Sequence, residues 1–328
     1  MIGSSGKILV RNLDGAVLQA LETMSTASDR SLEAEARHAL RCWVRPLLVT
    51  EERSERRAQV AQRLDNVLTQ INEATRLGWR PSHVAQEIGA PLVEPVEDWF
   101  MGRTEPTLHD LAKVADLFGV NRRWLQHGDG QPFPVSSMRL SEDPGEAVRW
   151  LLNRQADSKA VTGPNEQSPS NKELDRLILV RSASAEGQFA IVKQLDNYRC
   201  ETFITPTHIS DQIGAGGEAQ LMALSLTLQL LYKIYTKPPS PHVTSWILPE
   251  KSFSALVAGR AHPRSFDDSS IVRPWWEDFW DESMVAKNIY WKGWMEITSR
   301  IRHAIDATDR LAKERELIRT GEHPMLKI

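Results

Sequence analysis

The stretch GKILVRNLDGAVLQAL, residues 6–21, decides how the first part of this chain is read. Lys7 to Leu13 alternates its faces with a period of two and carries β-branched Ile8 and Val10, the pattern of one short strand. Asp14 then stands where a helix N-cap belongs. Gly15 to Ser25 follows as a helix, with Ala16, Leu18, Leu21 and Met24 on and off one apolar stripe. A lone strand leaves backbone donors and acceptors unpaired along both edges. Everything immediately downstream reads as helix, so the partner of this strand has to come from elsewhere.

A turn through Thr26-Ala27-Ser28-Asp29-Arg30 leads to Ser31, which opens a second helix, SLEAEARHALRCWV. Glu33 and Glu35 sit in its first turns, where the helix dipole favours acids, and Leu32, Ala36, Ala39, Leu40 and Trp43 form its apolar side. Strand, helix and helix within about 45 residues resemble the ribbon-helix-helix family, the Arc/MetJ class of DNA-binding proteins. The pattern is most similar to antitoxins paired with PIN-domain ribonuclease toxins. The resemblance implies that two chains pair their strands into an antiparallel ribbon in the DNA major groove. Ile8 and Val10 would face the dimer core, while Lys7, Leu9 and Arg11 would face the bases. Arg11 would fork onto guanine, Lys7 would reach guanine or phosphate, and Leu9 would meet a thymine methyl. The amides around Arg30, Ser31 and Leu32 would clamp a phosphate. The alternative is an edge strand of an ordinary mixed sheet, with Lys7 and Arg11 solvated. Gly15, in the first turn of its helix, departs from the family pattern and weakens that helix slightly.

Length and composition set the frame. A chain of 328 residues suggests two or three domains. The formal charge of −3 excludes a globally basic nucleic-acid coat, so any DNA contact comes from local placement. Cys42 and Cys200 lie far apart and form neither a metal nor a disulfide pattern, as in a reducing cytoplasm. No signal-peptide core or membrane-length apolar run is found, and a soluble, cytoplasmic protein is expected.

The next segment opens with EERSERRAQVAQRLDNVLTQI, a charged helix that runs from a solvated connector into Leu64, Val67, Leu68 and Ile71 at core spacing. GWRP stops it, and Pro81 suits the first turn of another helix. From Pro81 the chain resembles the helix-turn-helix domain of the lambda-repressor (Xre-like) class. Ala85 and Ile88-Gly89 close one helix, Val96 and Trp99 lie on the next, and Gly102 and Pro106 punctuate the turn. Leu108, Leu111, Val114-Ala115, Phe118-Gly119-Val120 and Trp124-Leu125 complete the pattern. The loop after Gly89 is one residue longer than usual and holds Pro91. The helix that should enter the groove carries Glu94, Glu97 and Asp98, which phosphates would repel, although a glutamate can accept from cytosine N4. Two roles stay open: base reading, or dimerisation and partner contact. If this unit binds DNA, His83 and Gln86 before the reading helix, Glu94 and Glu97 on it, and Arg103 and Thr104 after it are the contacts.

Residues 141–152 form a short helix ending near Trp150. A polar Ser/Asn/Pro-rich stretch after it reads as a flexible linker. Three runs, RLILVRSAS, QFAIVKQL and RCETFIT, suggest a small antiparallel meander. GAGGEAQLMALSLTLQLLYKIY opens a long apolar helix. Its glycines suit helix entry, and no Lys-Ser/Thr follows as a phosphate loop requires. HVTSWILP is a further strand and PEKSFSALVAG a short helix. Trp275, Trp276, Trp280, Trp291 and Trp294 dominate the rest, with Trp276/Trp280 and Trp291/Trp294 at spacings that share a helix face. Core packing or an interface is the default, and an aromatic ligand pocket is the alternative. Asp267-Asp268 near His262 reads as a solvated loop.

The fold class expected is therefore multidomain: ribbon-helix-helix at 1–57, all-α helix-turn-helix at 58–138, a short helix and linker at 139–174, and an α+β domain at 175–328. The expected function is a DNA-binding transcription regulator, a repressor acting as a homodimer or higher oligomer on double-stranded DNA. The alternative is an antitoxin-like protein that neutralises a partner toxin and autoregulates its operon. No enzymatic activity, cofactor, metal or membrane partner is expected.

Overall fold

In a computed structural model of the chain, residues 10–152, 174–236, 241–267 and 273–327 are described, with the backbone alone at 45–54. The expected strand residues Lys7, Ile8 and Leu9, the linker at 153–173 and Asp268 lie outside them. Two compact units divide the chain, Met1–Gln59 and Val60–Ile328.

The first unit holds α1 (Gly15–Ala27) and the start of α2 (Leu32–Thr75). Asp14 caps α1 by accepting the Ala16 amide at 2.8 Å. The charged stretch expected as a connector is helical throughout, so α2 is a single element of 44 residues. The expected boundary at 57/58 falls inside it. Glu, Arg and Gln are strong helix formers, and their charge marks exposure rather than irregular backbone.

The second unit has two layers of core. The end of α2 packs with α3 (Pro81–Glu87), α4 (Glu94–Phe100), α5 (Leu108–Phe118) and α6 (Arg122–His127). Val60, Leu64, Val67, Ile71, Val84, Val96, Leu111, Val114, Phe118 and Leu125 form their common core. Caps fix the ends: Thr107 accepts the Asp110 amide, and Asn121 accepts those of Arg123 and Trp124.

Five strands follow: β1 (Val135–Ser137), β2 (Arg176–Ser182), β3 (Gln188–Gln194), β4 (Cys200–His208) and β5 (His242–Leu248), ordered β1-β4-β3-β2-β5. β2, β3 and β4 form the antiparallel meander, while β1 pairs parallel with β4 and β5 parallel with β2. Alternate residues face opposite sides, and both sides are buried, which explains why β2 and β3 read as unbroken apolar runs. Leu177, Leu179, Phe189 and Ile191 face α7 (Pro144–Leu152), α8 (Ala215–Tyr235) and the C-terminal helices. Ile178, Val180, Ala190 and Val192 face Phe253 and Leu256 of α9 (Glu250–Val257). α8 buries almost every residue from Leu221 to Leu231, as a central helix must.

The short helix α7 is part of this unit, not of a separate linker segment. Val148 and Leu151 are buried in the sheet's core. Lys193, fully buried on β3, donates Nζ to the Trp150 carbonyl at 2.5 Å and lies 3.7 Å from the centre of the Trp150 ring. Burial lowers its pKa to about 8.

The tryptophan-rich segment packs as core, with Trp275, Trp276 and Trp294 buried. Neither expected pair shares a helix. α10 (Trp275–Asp278) stops before Trp280, where Asp281 caps α11 (Glu282–Val285), and Trp291 precedes the Gly293 cap of α12 (Trp294–Asp306). Trp291 instead covers the buried Arg181 guanidinium at 4.1 Å. α13 (Asp309–Thr320) closes the chain against α8 and α12.

The expected division at 138/139 crosses a joint that ties the short helices to the sheet. Asp196 accepts the amides of Tyr198 and Arg199 and pairs with Arg199 Nε at 2.8 Å, which shapes the β3–β4 turn. The turn projects Tyr198 onto Trp79 and Phe118, at ring separations of 5.2 and 6.0 Å. His262, expected in a solvated loop, is buried. It donates Nε2 to the Tyr198 carbonyl at 2.8 Å, accepts the Arg264 amide at Nδ1, and receives Gln70 Oε1 at its own amide. Asp267 is not solvated either, since it binds Arg176. The Phe133 amide donates to the Gly259 carbonyl, and a Cβ on Gly259 would come within 2.2 Å of the Phe133 oxygen. Only glycine fits there.

Burial pushes the His262 pKa from 6.5 down to about 4. A depressed imidazole keeps its full contribution above pH 6.5 and loses it as pH falls toward 4, because the unfolded chain then binds the extra proton. Urea unfolding should lose about 2 kcal/mol between pH 7 and pH 5 from this residue. His262→Gln should flatten that slope. An equal slope in the variant would remove His262 as its source.

Candidate nucleic-acid interface

In the first unit the fully buried residues among those described are Ser25 and Glu35, both polar. The apolar side chains stand outside: Val10, Leu13, Val17, Leu18, Met24, Leu32, Leu40 and Trp43 are exposed, Trp43 at 78%. A unit whose apolar groups all face out has no core of its own, and a contiguous face of this kind marks an interaction surface.

What is fixed in this unit is the turn between its helices. The Arg30 amide donates to the Ser25 carbonyl at 2.9 Å, and Asp29 takes a left-handed φ of 54°. Ser28 Oγ donates to Glu35 Oε2 at 2.8 Å, and Arg30 Nη1 reaches the same oxygen at 3.2 Å. The Ser28 hydroxyl first, then Arg30, holds the Glu35 carboxyl below the usual carboxylate range. Ser31 caps α2 by accepting the Ala34 amide at 3.2 Å.

These contacts sort the expected DNA-binding residues. Arg11 is exposed just before α1, with no ion pair or hydrogen bond among the described residues. Lys7 and Leu9 lie outside the described residues. Arg30, expected at a phosphate, spends its guanidinium on Glu35 and its amide on Ser25, because the buried carboxylate needs a charged donor. Ser31 Oγ is engaged as a cap. Leu32 is exposed, and its amide belongs to the open first turn of α2. The latch around Glu35 escaped sequence reading: only its place in a first helical turn showed.

In the second unit His83 Nδ1 accepts the Arg80 amide at 3.0 Å, and its ring stacks on Trp79. It is therefore a cap of α3 rather than a free contact. Gln86 is exposed. Glu94 and Glu97 occupy the first turn of α4, where the helix dipole stabilises them. Arg103 folds back on Asp98 at 3.2 Å, and the Thr104 amide approaches the Asp98 carbonyl at 3.5 Å. An exposed pair of this kind is weak and exchanges readily. Leu92, Val93, Met101 and Leu108 are exposed about the ends of α4, an apolar rim that sequence reading missed.

Among the described residues no group of three or more His, Cys, Asp or Glu is placed to hold a metal, and no helix is long and apolar enough to cross a membrane. Residues 7–44 match the family described as antitoxin FitA-like, ribbon-helix-helix. No curated protein and no solved structure matches the chain.

Ser31→Ala should weaken the first turn of α2 by about 1 kcal/mol, read as faster hydrogen exchange there. The stability that Glu35 lends the turn is present above the ordinary carboxylate pKa and is lost as pH falls through its lowered value. Glu35→Gln should abolish that acid response of the exchange rates.

Proposed function

We propose that this protein is a sequence-specific DNA-binding transcription regulator, a repressor that grips its operator as a homodimer through a ribbon built from the N-terminal strands. The observation that carries this reading is the exposed apolar face of the first unit, within the segment matching the FitA-like ribbon-helix-helix family. A second copy supplies the missing core, and pairing its strand answers the unpaired edges of residues 7–13. Arg11, unengaged at the end of that strand, is the base-reading side chain, alongside Lys7 and Leu9. The chain acts without enzymatic chemistry on this reading.

The end of α2 and helices α3–α6 follow the order of a lambda-repressor-like helix-turn-helix domain, with α4 as the reading helix. Its Glu94 and Glu97 face solvent or lie half-buried. Relief of their charge therefore distinguishes a groove position from a position remote from DNA. The family match favours one further reading, an antitoxin that binds a toxin and represses its own operon. The two readings share the DNA-binding step and separate on whether a toxin co-purifies when both genes are expressed.

Titration of a fluorescent upstream promoter fragment at two salt concentrations tests the ribbon. Arg11→Ala should lose about 1–3 kcal/mol of discrimination at particular base pairs while the dimer persists. Lys7→Ala, if Lys7 meets phosphate, should lower the salt slope by about one unit. Unchanged affinity and preference in Arg11→Ala would show that the strand does not read bases.

Replacing Glu94 and Glu97 with Gln should tighten binding, more so at low salt, if α4 lies near the phosphates. A loss confined to particular base positions would mark cytosine reading. No change in either respect would place α4 away from DNA.

A further inference from the structure

Four buried polar atoms without a hydrogen-bond partner gather at one end of the sheet face that α9 covers: Arg176 Nε, Gln194 Oε1, Trp246 Nε1 and Arg264 Nε. Strand register brings three of them together. Arg176 stands opposite Gln194, two residues from Ile178 and hence on the same face, and Trp246 stands opposite Val180. Arg264 arrives from the 3-10 turn at Pro263–Phe266.

The guanidiniums converge on one carboxylate. Arg176 Nη1 donates to both oxygens of Asp267, at 2.8 and 2.9 Å, and Arg264 Nη2 lies 3.8 Å from Asp267 Oδ2. The Arg176 guanidinium carbon is 5.7 Å from the centre of the Trp246 ring. Arg264 Nη1 is held by the Asn197 carbonyl at 2.6 Å. The neighbouring Arg199–Asp196 pair is closed on itself, and Asp175 accepts from Gln194 Nε2. Two cations thus share one anion, while the side chains of Arg176 and Arg264 keep 16% and 19% of their surface open to solvent.

Buried donors require acceptors, and a surplus cation in a partly dry site favours an anion. We propose that this end of the sheet binds a phosphate group between Arg176 and Arg264. Trp246 Nε1 is its third donor, and Gln194 Oε1 accepts the proton of a hydrogen phosphate. A carboxylate offers two oxygens and, ionised, no proton for Gln194, so it fits less well. The site lies beside the β3–β4 turn and is independent of how the chain reads DNA.

Isothermal titration of the full chain with inorganic phosphate, glycerol phosphate and acetate, at constant ionic strength set with sodium chloride, tests this. Saturable phosphate binding at one site per chain is expected, with acetate weaker. Glycerol phosphate binding more tightly than inorganic phosphate would identify a phosphorylated metabolite as the source, and the reverse order the free ion. Arg264→Gln should weaken binding at least about tenfold, as the loss of one charge-assisted hydrogen bond does. Trp246→Phe removes one N–H with little change of volume, so it keeps the test sound if the arginine variant folds poorly, and it too should weaken phosphate. No saturable binding to the unmodified chain, or binding equal in Trp246→Phe and in a folded Arg264→Gln, would overturn the proposal.

Discussion

The distribution of apolar burial governs this molecule. From Val60 onward, every helix and strand finds apolar neighbours within the chain. Before that point, the described residues bury a serine and a glutamate and leave a tryptophan, a methionine and several leucines and valines in water. A side chain of that size gains roughly 1.5–3 kcal/mol on full burial, so the N-terminal unit forgoes most of the stabilisation that folding usually provides. Its helices persist through caps and through the Glu35 latch, which order the backbone without covering the apolar face. The unit is arranged as half of an interface.

The second unit is organised around the opposite constraint. Its buried polar groups are mostly matched, and their partners lie far away in sequence. Arg63 on α2 donates to the Leu125 carbonyl on α6, and Gln70 on α2 meets the His262 amide. Such bonds weld short helices to a mixed sheet that would otherwise fold as a neighbour. The orphaned donors at Arg176, Trp246 and Arg264 stand out against this background.

Local pattern made much of this legible. β2 and β3 were visible because apolar residues on both faces leave an unbroken run, and α5 because Leu111, Val114, Ala115 and Phe118 repeat at helical spacing. α2 was cut in two because charge density was taken for a connector. The parallel pairing of β5, the three-residue β1 and the His262 joint depend on contacts between distant segments, which no local period encodes. At the candidate interface, Arg11 could be read from strand alternation. The diversion of Arg30 to Glu35, and of His83 to a cap, depended on turn geometry that the sequence shows only as scattered Ser, Asp and His.

The bond from Gln70 to His262 spans 192 residues. At synthesis rates of about 5–20 residues per second, roughly 10–40 s separate the emergence of its two ends. During that interval the Trp79–Phe118 face has no Tyr198 to cover it, while the N-terminal unit is already complete. Two nascent chains on one message can therefore meet through their first unit long before either closes its second. Dimerisation would then precede folding of the larger unit, and chaperones would have an exposed aromatic surface to shield in the meantime.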